Sequence, residues 1–186
     1  MRVRPRVTRY LEPVGKTLVA LGMTPTAMTV IGLSIVITGS VVIGFGALRT
    51  GAVIVLAGAI LDGLDGSVAR AANRETARGA FLDSAFDRIG EIAAFAGLAV
   101  AFAEDRRVLL LCVLAVGGAM LVPYIRARAE AEGFTGRGGI MGRAERVILF
   151  SVGLLLAQVE PMLWAFVGLV WLTAVARFVT TYRSIE

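Results

Sequence analysis

Four carboxylates stand out in "LDGLDGSVARAANRETARGAFLDSAFDRIGE", Leu61 to Glu91, because the runs on either side, "GAVIVLAGAI" and "IAAFAGLAVAFA", are almost wholly apolar. Asp62 and Asp65 are three residues apart and Asp83 and Asp87 four apart, spacings that put each pair on one helical face. A carboxylate in hydrocarbon is costly, so its presence there marks a functional site. Converging acids repel one another unless cations sit among them. The chain has no histidine, and its single cysteine, Cys112, lies in an apolar run and has no partner for an intramolecular disulfide. A metal here must therefore take oxygen ligands, which suits magnesium, manganese or calcium.

These acids need elements to carry them. The 186 residues are 57% hydrophobic and 18% charged, with a mean hydropathy of +0.79. That is the composition of an integral membrane protein, and one domain over 1–186 is expected. Apolar runs of about 20 residues, enough to cross a bilayer, fall near 24–48, 51–73, 79–103, 107–130, 143–159 and 161–182. The breaks, "RT" around Thr50, "NRETAR", "AEDRR", "AEGFTGRGGIMGR" and "VEP", are short, so neighbouring spans run antiparallel. The expected fold is an all-α integral membrane six-transmembrane-helix bundle. The N-terminal segment 1–23 reads as a basic amphipathic juxtamembrane helix on the membrane surface rather than a cleaved leader.

Of the nineteen basic side chains, all but Arg49, Arg106 and Arg107 fall at one end of these spans. That bias puts both termini, and the aspartates with them, on the cytoplasmic side of the cell membrane. A hairpin of spans two and three pivoting near Thr76 sets Asp65 and Asp87 level, eleven residues either side of the turn. Pairing with Arg88 or Arg70 is the structural alternative for two of the acids; four acids exceed it.

The stretch resembles the CDP-alcohol phosphotransferase family, whose pattern Asp-Gly-x2-Ala-Arg-x8-Gly-x3-Asp-x3-Asp falls on Asp65, Gly66, Ala69, Arg70, Gly79, Asp83 and Asp87, with Asp62 three residues ahead. The resemblance implies two divalent ions, Mg2+ or Mn2+, on Asp62, Asp65 and Asp83, with Asp87 a partial ligand and the catalytic base. It implies that Asp62, Asp65, Gly66, Ala69, Arg70, Thr76 and Gly79 hold the CDP group. It also implies a homodimer. Upstream, "GMTPTAMTVIGL" is similar to the family's entry into span one, with Thr26 where asparagine is common. The chemistry is coherent: two metals neutralise a diphosphate and orient an attacking hydroxyl, and a carboxylate beside them takes its proton.

The acceptor is read from "YIRARAEAEGFTGRGGIMGRAERVILF", Tyr124 to Phe150. Arg143 and Arg146 sit three apart at a helix N-terminus, which favours an anion. Guanidiniums converging beside a metal site bind a phosphorylated acceptor better than a neutral alcohol. The segment resembles the actinobacterial branch that makes phosphatidylinositol phosphate from CDP-diacylglycerol and inositol 1-phosphate. By that resemblance Arg126, Arg143, Arg146 and Arg177 bind the acceptor. Arg126 replaces a common lysine, Pro123 a serine and Ala144 a proline. Archaeal relatives using an ether-linked CDP-archaeol share these features, and transfer to glycerol 3-phosphate is a near competitor.

A cation transporter also gathers intramembrane acids, but it has no need of Arg70 and Gly79 at these spacings. An intramembrane prenyltransferase takes its two acid motifs from distant helices, not one hairpin. The single-sided basic charge fits a membrane protein rather than a nucleic-acid partner. Trp164 and Trp171 read as packing or interface residues, Glu91 as support for the acids or a partner for Arg88, and the repeated glycines as close helix contacts.

Overall fold

The computed structural model describes residue 17 and residues 23–64, 76–136 and 138–185. Among them the chain is all-helical: α1 Pro25–Gly44, α2 Leu48–Asp62, α3 Ala77–Ala101, α4 Arg106–Ala131, α5 Arg143–Leu155 and α6 Val159–Ser184. The N-terminal juxtamembrane helix, apart from Thr17, lies outside the described residues, as do Asp65, Gly66, Ala69 and Arg70.

Polar side chains punctuate the apolar runs. Thr24 caps α1 by accepting from the Ala27 amide at 3.2 Å, with Pro25 in the first turn. Asp105 caps α4, accepting from the amides of Arg107 and Val108. The first break comes earlier than the expected "RT": the chain turns at Phe45–Ala47, and Arg49 and Thr50 are already in α2. Gly46, at φ +87°, supplies the left-handed residue that ends α1. The last break also falls earlier than "VEP", at Leu156–Gln158, with Ala157 at φ 55°. Pro161 belongs to the first turn of α6, where its missing N–H costs no helix bond. Pro123, by contrast, stands inside α4.

α1, α4 and α6 are each long and apolar enough to cross a membrane. α3 has 25 residues but carries Arg78, Asp83, Asp87, Arg88 and Glu91 in its first half. α2 and α5 have 15 and 13 residues, shorter alone than the ~20 a full crossing needs. α2 thus ends at Asp62 within the expected span 51–73, the turn Gly63–Leu64 following it. Large apolar side chains face outward, among them Phe45, Phe81, Val100, Val113 and Leu172. In water such a surface is a liability; in lipid it is the solvated face. The fold is an all-α integral membrane bundle.

Without a hydrophobic drive between helices in lipid, close packing depends on small residues. α1 and α2 meet through Gly32, Gly39, Gly51 and Gly58. A Cβ on Gly58 would lie 2.8 Å from the Gly32 carbonyl oxygen, and one on Gly32 only 2.8 Å from Cβ of Asp62. Glycine on α1 therefore decides how deep the end of α2 can sit. Further in, Phe95 of α3 packs edge-on against Phe150 of α5 and Phe166 of α6, centroids 5.1 and 4.8 Å apart. This aromatic layer closes the bundle beneath the polar end.

Candidate metal and phosphate site

Asp62 is the last residue of α2, and its side chain is almost fully buried. Asp83 and Asp87 lie one turn apart on α3. One carboxylate oxygen from each of the three falls within 4.8 Å of the others, the spacing of a shared cation site. Asp65 lies outside the described residues, so its expected level pairing with Asp87 does too. The α3 start is set locally: Thr76 accepts from the Gly79 amide at 3.0 Å, and a Cβ on Gly79 would press to 3.2 Å from that hydroxyl. Thr76 and Gly79, expected at the CDP group, thus form the N-cap of the helix that carries Asp83 and Asp87.

Arg143, expected on the acceptor, is found among the acids. Its Nη2 donates to Asp62 Oδ2 at 2.5 Å and lies 2.7 Å from Asp87 Oδ1. Asp87 Oδ1 is in ion-pair range yet receives no aligned hydrogen bond, and it is buried. Distance measures the Coulomb attraction and alignment measures lone-pair satisfaction; by the second criterion this oxygen still has acceptor capacity. Asp87 also lies 3.4 Å from Arg88. The salt-bridge alternative therefore describes Asp62 and Asp87 in part, and leaves Asp83 without an ion pair among the described contacts.

Arg146 faces elsewhere, one turn along α5. It is 3% exposed and grips Glu91 with two nitrogens, at 2.5 and 3.1 Å, while a third donates to the Met141 carbonyl at 3.2 Å. Glu91 was expected to support the acids or pair with Arg88. Arg88 does approach it at 3.7 Å, but its main partner is Arg146. Nothing in the local sequence marks a pair fifty-five residues apart; the only signal is that two charges on apolar helix faces each need a partner. A cavity of about 50 Å3 beneath the acids is lined by Asp62, Asp87, Glu91, Arg143, Arg146 and Phe95.

Arg177 ties α6 to α4 and to the loop before α5. It donates to the Val122 carbonyl at 2.8 Å and to the Gly138 carbonyl at 2.9 and 3.2 Å. Arg126 and Arg146 act electrostatically on it, with Glu130 opposing them. Arg126 is more exposed and pairs with Glu130 at 2.8 Å. Arg177 thus lies within electrostatic reach of Arg126 and Arg146, while Arg143 is drawn to the acids.

The donor set fits a divalent metal: three carboxylates, oxygen only, one buried oxygen with unused capacity, and a net negative charge before Arg143 is counted.

The family profile for CDP-alcohol phosphatidyltransferases matches residues 22–183. A curated relative, the phosphatidylinositol phosphate synthase of Mycolicibacterium smegmatis, is 37% identical over 132 residues, 68% of this chain but only 60% of that protein's length. The archaetidylinositol phosphate synthase of Pyrococcus horikoshii is 33% identical over the whole chain and 97% of its own length. Among solved structures, the Mycobacterium tuberculosis phosphatidylinositol phosphate synthase with CDP-DAG bound superposes with a TM-score of 0.85 at 30% identity, covering 94% of both chains. The same protein with manganese and citrate gives 0.81, covering 94% of this chain and 88% of that one. With the acid cluster at one end of the helical bundle and a profile match spanning the six described helices, the chain belongs to the CDP-alcohol phosphatidyltransferase family.

Proposed function

We propose that this protein, as a single membrane domain over 1–186, transfers a phosphatidyl group from CDP-diacylglycerol to inositol 1-phosphate, giving phosphatidylinositol phosphate and CMP. The observation that carries the reading is the adjacency of two opposite charge clusters. Asp62, Asp83 and Asp87 converge where the end of α2 meets the first half of α3, Arg143 and Arg146 line the same cavity as Asp62 and Asp87, and Arg177 lies within electrostatic reach of Arg126 and Arg146. A nucleotide-linked lipid needs the first and a phosphorylated acceptor needs the second. The names of the mycobacterial relatives agree with that pairing.

In this reading Asp62, Asp65, Asp83 and, in part, Asp87 hold two divalent ions, Mg2+ or Mn2+. When bound, such ions neutralise the diphosphate and stabilise charge on the departing nucleotide. Asp65, Gly66, Ala69, Arg70, Thr76 and Gly79 line the CDP group, where small side chains allow its close approach. The arginine cluster holds the acceptor phosphate and so aims one ring hydroxyl at the lipid-bearing phosphorus. Asp87 accepts that hydroxyl's proton as the new O–P bond forms, and the bond to CMP breaks. The phosphate recognition discriminates inositol phosphate from free inositol, because only the phosphorylated acceptor brings the negative charge that the guanidiniums favour.

The basic side chains concentrated at the acid end favour a cytoplasmic site and termini in the cell membrane. An ether-linked donor is the second reading, favoured by the full-length match to the archaeal relative.

The deciding experiment gives detergent-solubilised protein CDP-diacylglycerol, Mn2+ and a panel of inositol 1-phosphate, glycerol 3-phosphate, serine and free inositol, following CMP release. Inositol 1-phosphate should be turned over fastest. Equal turnover of free inositol would defeat the acceptor assignment, and no release with any acceptor would defeat the transferase reading. CDP-archaeol in place of the diacyl donor separates the two lipids.

A further inference from the structure

Arg143 sits where two sites make incompatible demands. One of its nitrogens, Nη2, lies between Asp62 Oδ2 and Asp87 Oδ1, at 2.5 and 2.7 Å. A magnesium or manganese ion bound by those oxygens must come within about 2.1 Å of each. The space between them admits one positive centre, and two cations there would repel strongly in a poorly hydrated pocket. The guanidinium and the ion therefore compete for the same lone pairs.

The surroundings allow Arg143, and not its neighbour, to leave. Its side chain is 28% exposed, against 3% for Arg146, which is held by Glu91 and the Met141 carbonyl. The first turn of α5 is thus anchored by Arg146, while the partly exposed Arg143 side chain has room to swing once its carboxylate partners are taken. Gly142, the residue before α5, provides no side-chain cap, so the amides of this helix end lack an intrachain side-chain acceptor. A phosphate arriving there meets the start of α5, with the Glu145 carboxylate close to Gly142, and it is the released guanidinium that supplies the compensating charge.

We propose that Arg143 is an exchangeable counter-cation shared by the two substrate sites: it neutralises Asp62 and Asp87 until divalent ions take its place, and displacement delivers it to the acceptor phosphate. The inference rests on the metal and acceptor assignments above and adds a coupling between them. Since binding linkage is reciprocal, acceptor phosphate must tighten metal binding as much as metal tightens acceptor binding.

The test measures Mn2+ affinity of the full chain in detergent by the loss of the free-ion paramagnetic signal, with and without inositol 1-phosphate, in the absence of CDP-lipid. In the unsubstituted protein, inositol 1-phosphate should tighten Mn2+ binding at least about fivefold. Arg143→Gln should bind Mn2+ more tightly than the unsubstituted protein when no phosphate is present, and should lose the coupling. Arg143→Lys, which keeps the charge without the planar fork, should retain a smaller coupling and covers the case in which the glutamine variant misfolds. Mn2+ binding that ignores inositol 1-phosphate, or that is no tighter in Arg143→Gln, overturns the shared role while leaving the metal site intact. No Mn2+ binding by the unsubstituted protein overturns the metal reading as well.

Discussion

Arg143 reaches across eighty-one residues of sequence to bond Asp62 at 2.5 Å, and so pins the first turn of α5 to the last turn of α2. Both ends of that bond come from helices too short to cross a bilayer alone. Their termini meet inside the bundle, level with Asp83 and Asp87, and this meeting creates a polar pocket at the edge of an apolar one.

Asp62 is the most buried of the three clustered acids and the one nearest Arg143. Asp62→Asn keeps the shape but removes a charge that both the metal and the guanidinium use. CMP release should fall by about 10^2-fold or more, with Mn2+ binding weakened in parallel. Asp83→Asn should do the same without disturbing Arg143, so its thermal midpoint should change less than that of Asp62→Asn. EDTA should abolish turnover in the parent protein, and added Mg2+ or Mn2+ should restore it.

The Glu91–Arg146 pair is a different kind of charge pair. Arg146 is 3% exposed and Glu91 13%, so removing one partner strands a charge in a region that hydrates it poorly. Glu91→Gln should destabilise by roughly 3–5 kcal/mol, the cost typical of breaking a buried pair. Glu130→Gln breaks the pair with Arg126, whose side chains are 39% and 49% exposed, and should cost under about 1 kcal/mol. Thermal unfolding in one detergent compares the two directly. The double variant Glu91→Gln, Arg146→Gln should recover part of the loss, because no unpaired charge remains.

These side chains show what could be read from the sequence and what could not. The acids were legible because expense in lipid and fixed spacing along one hairpin are local properties. The helical class was legible for the same reason: α1, α4 and α6 are long uninterrupted apolar runs. The turn at Phe45–Ala47 is hard to place from sequence because the polar pair Arg49–Thr50 resembles a loop, whereas the backbone turns at Gly46, where a left-handed residue is cheapest. "VEP" misled in the same way, since proline suits a helix start as well as a break. The partners of the arginines were not legible at all. Arg143 and Arg146 are three residues apart and both looked like phosphate ligands, yet one turns to Asp62 and the other to Glu91. Which acid meets which base depends on how α3 and α5 pack, and no local pattern encodes that.

Gly32 tests how tightly packing controls the site. A methyl group at this position would stand 2.8 Å from Cβ of Asp62 and 3.1 Å from its backbone atoms, so the end of α2 must shift outward. Overpacking of this kind typically costs ~1–3 kcal/mol. Gly32→Ala should lose activity out of proportion to that, because Asp62 moves relative to Asp83 and Asp87. Gly118→Ala, which meets Val170 on the far helices α4 and α6, is the control. It should lower the unfolding temperature comparably while leaving the Mn2+ affinity near the parent value.

Arg177 joins the Val122 and Gly138 carbonyls and stands among like charges. Two roles are open to such a residue, bracing the loop before α5 or holding the acceptor phosphate, and they leave different kinetic marks. Arg177→Ala should raise the KM for inositol 1-phosphate about tenfold or more, the scale of a lost charge-assisted hydrogen bond, and leave the KM for CDP-diacylglycerol within about twofold. Arg177→Lys should recover part of the loss, since a lysine keeps the charge but not the two-nitrogen grip on Gly138. Equal rises in both KM values would mean that the arginine acts only as a brace, and the acceptor phosphate would then depend on Arg126, Arg143 and Arg146.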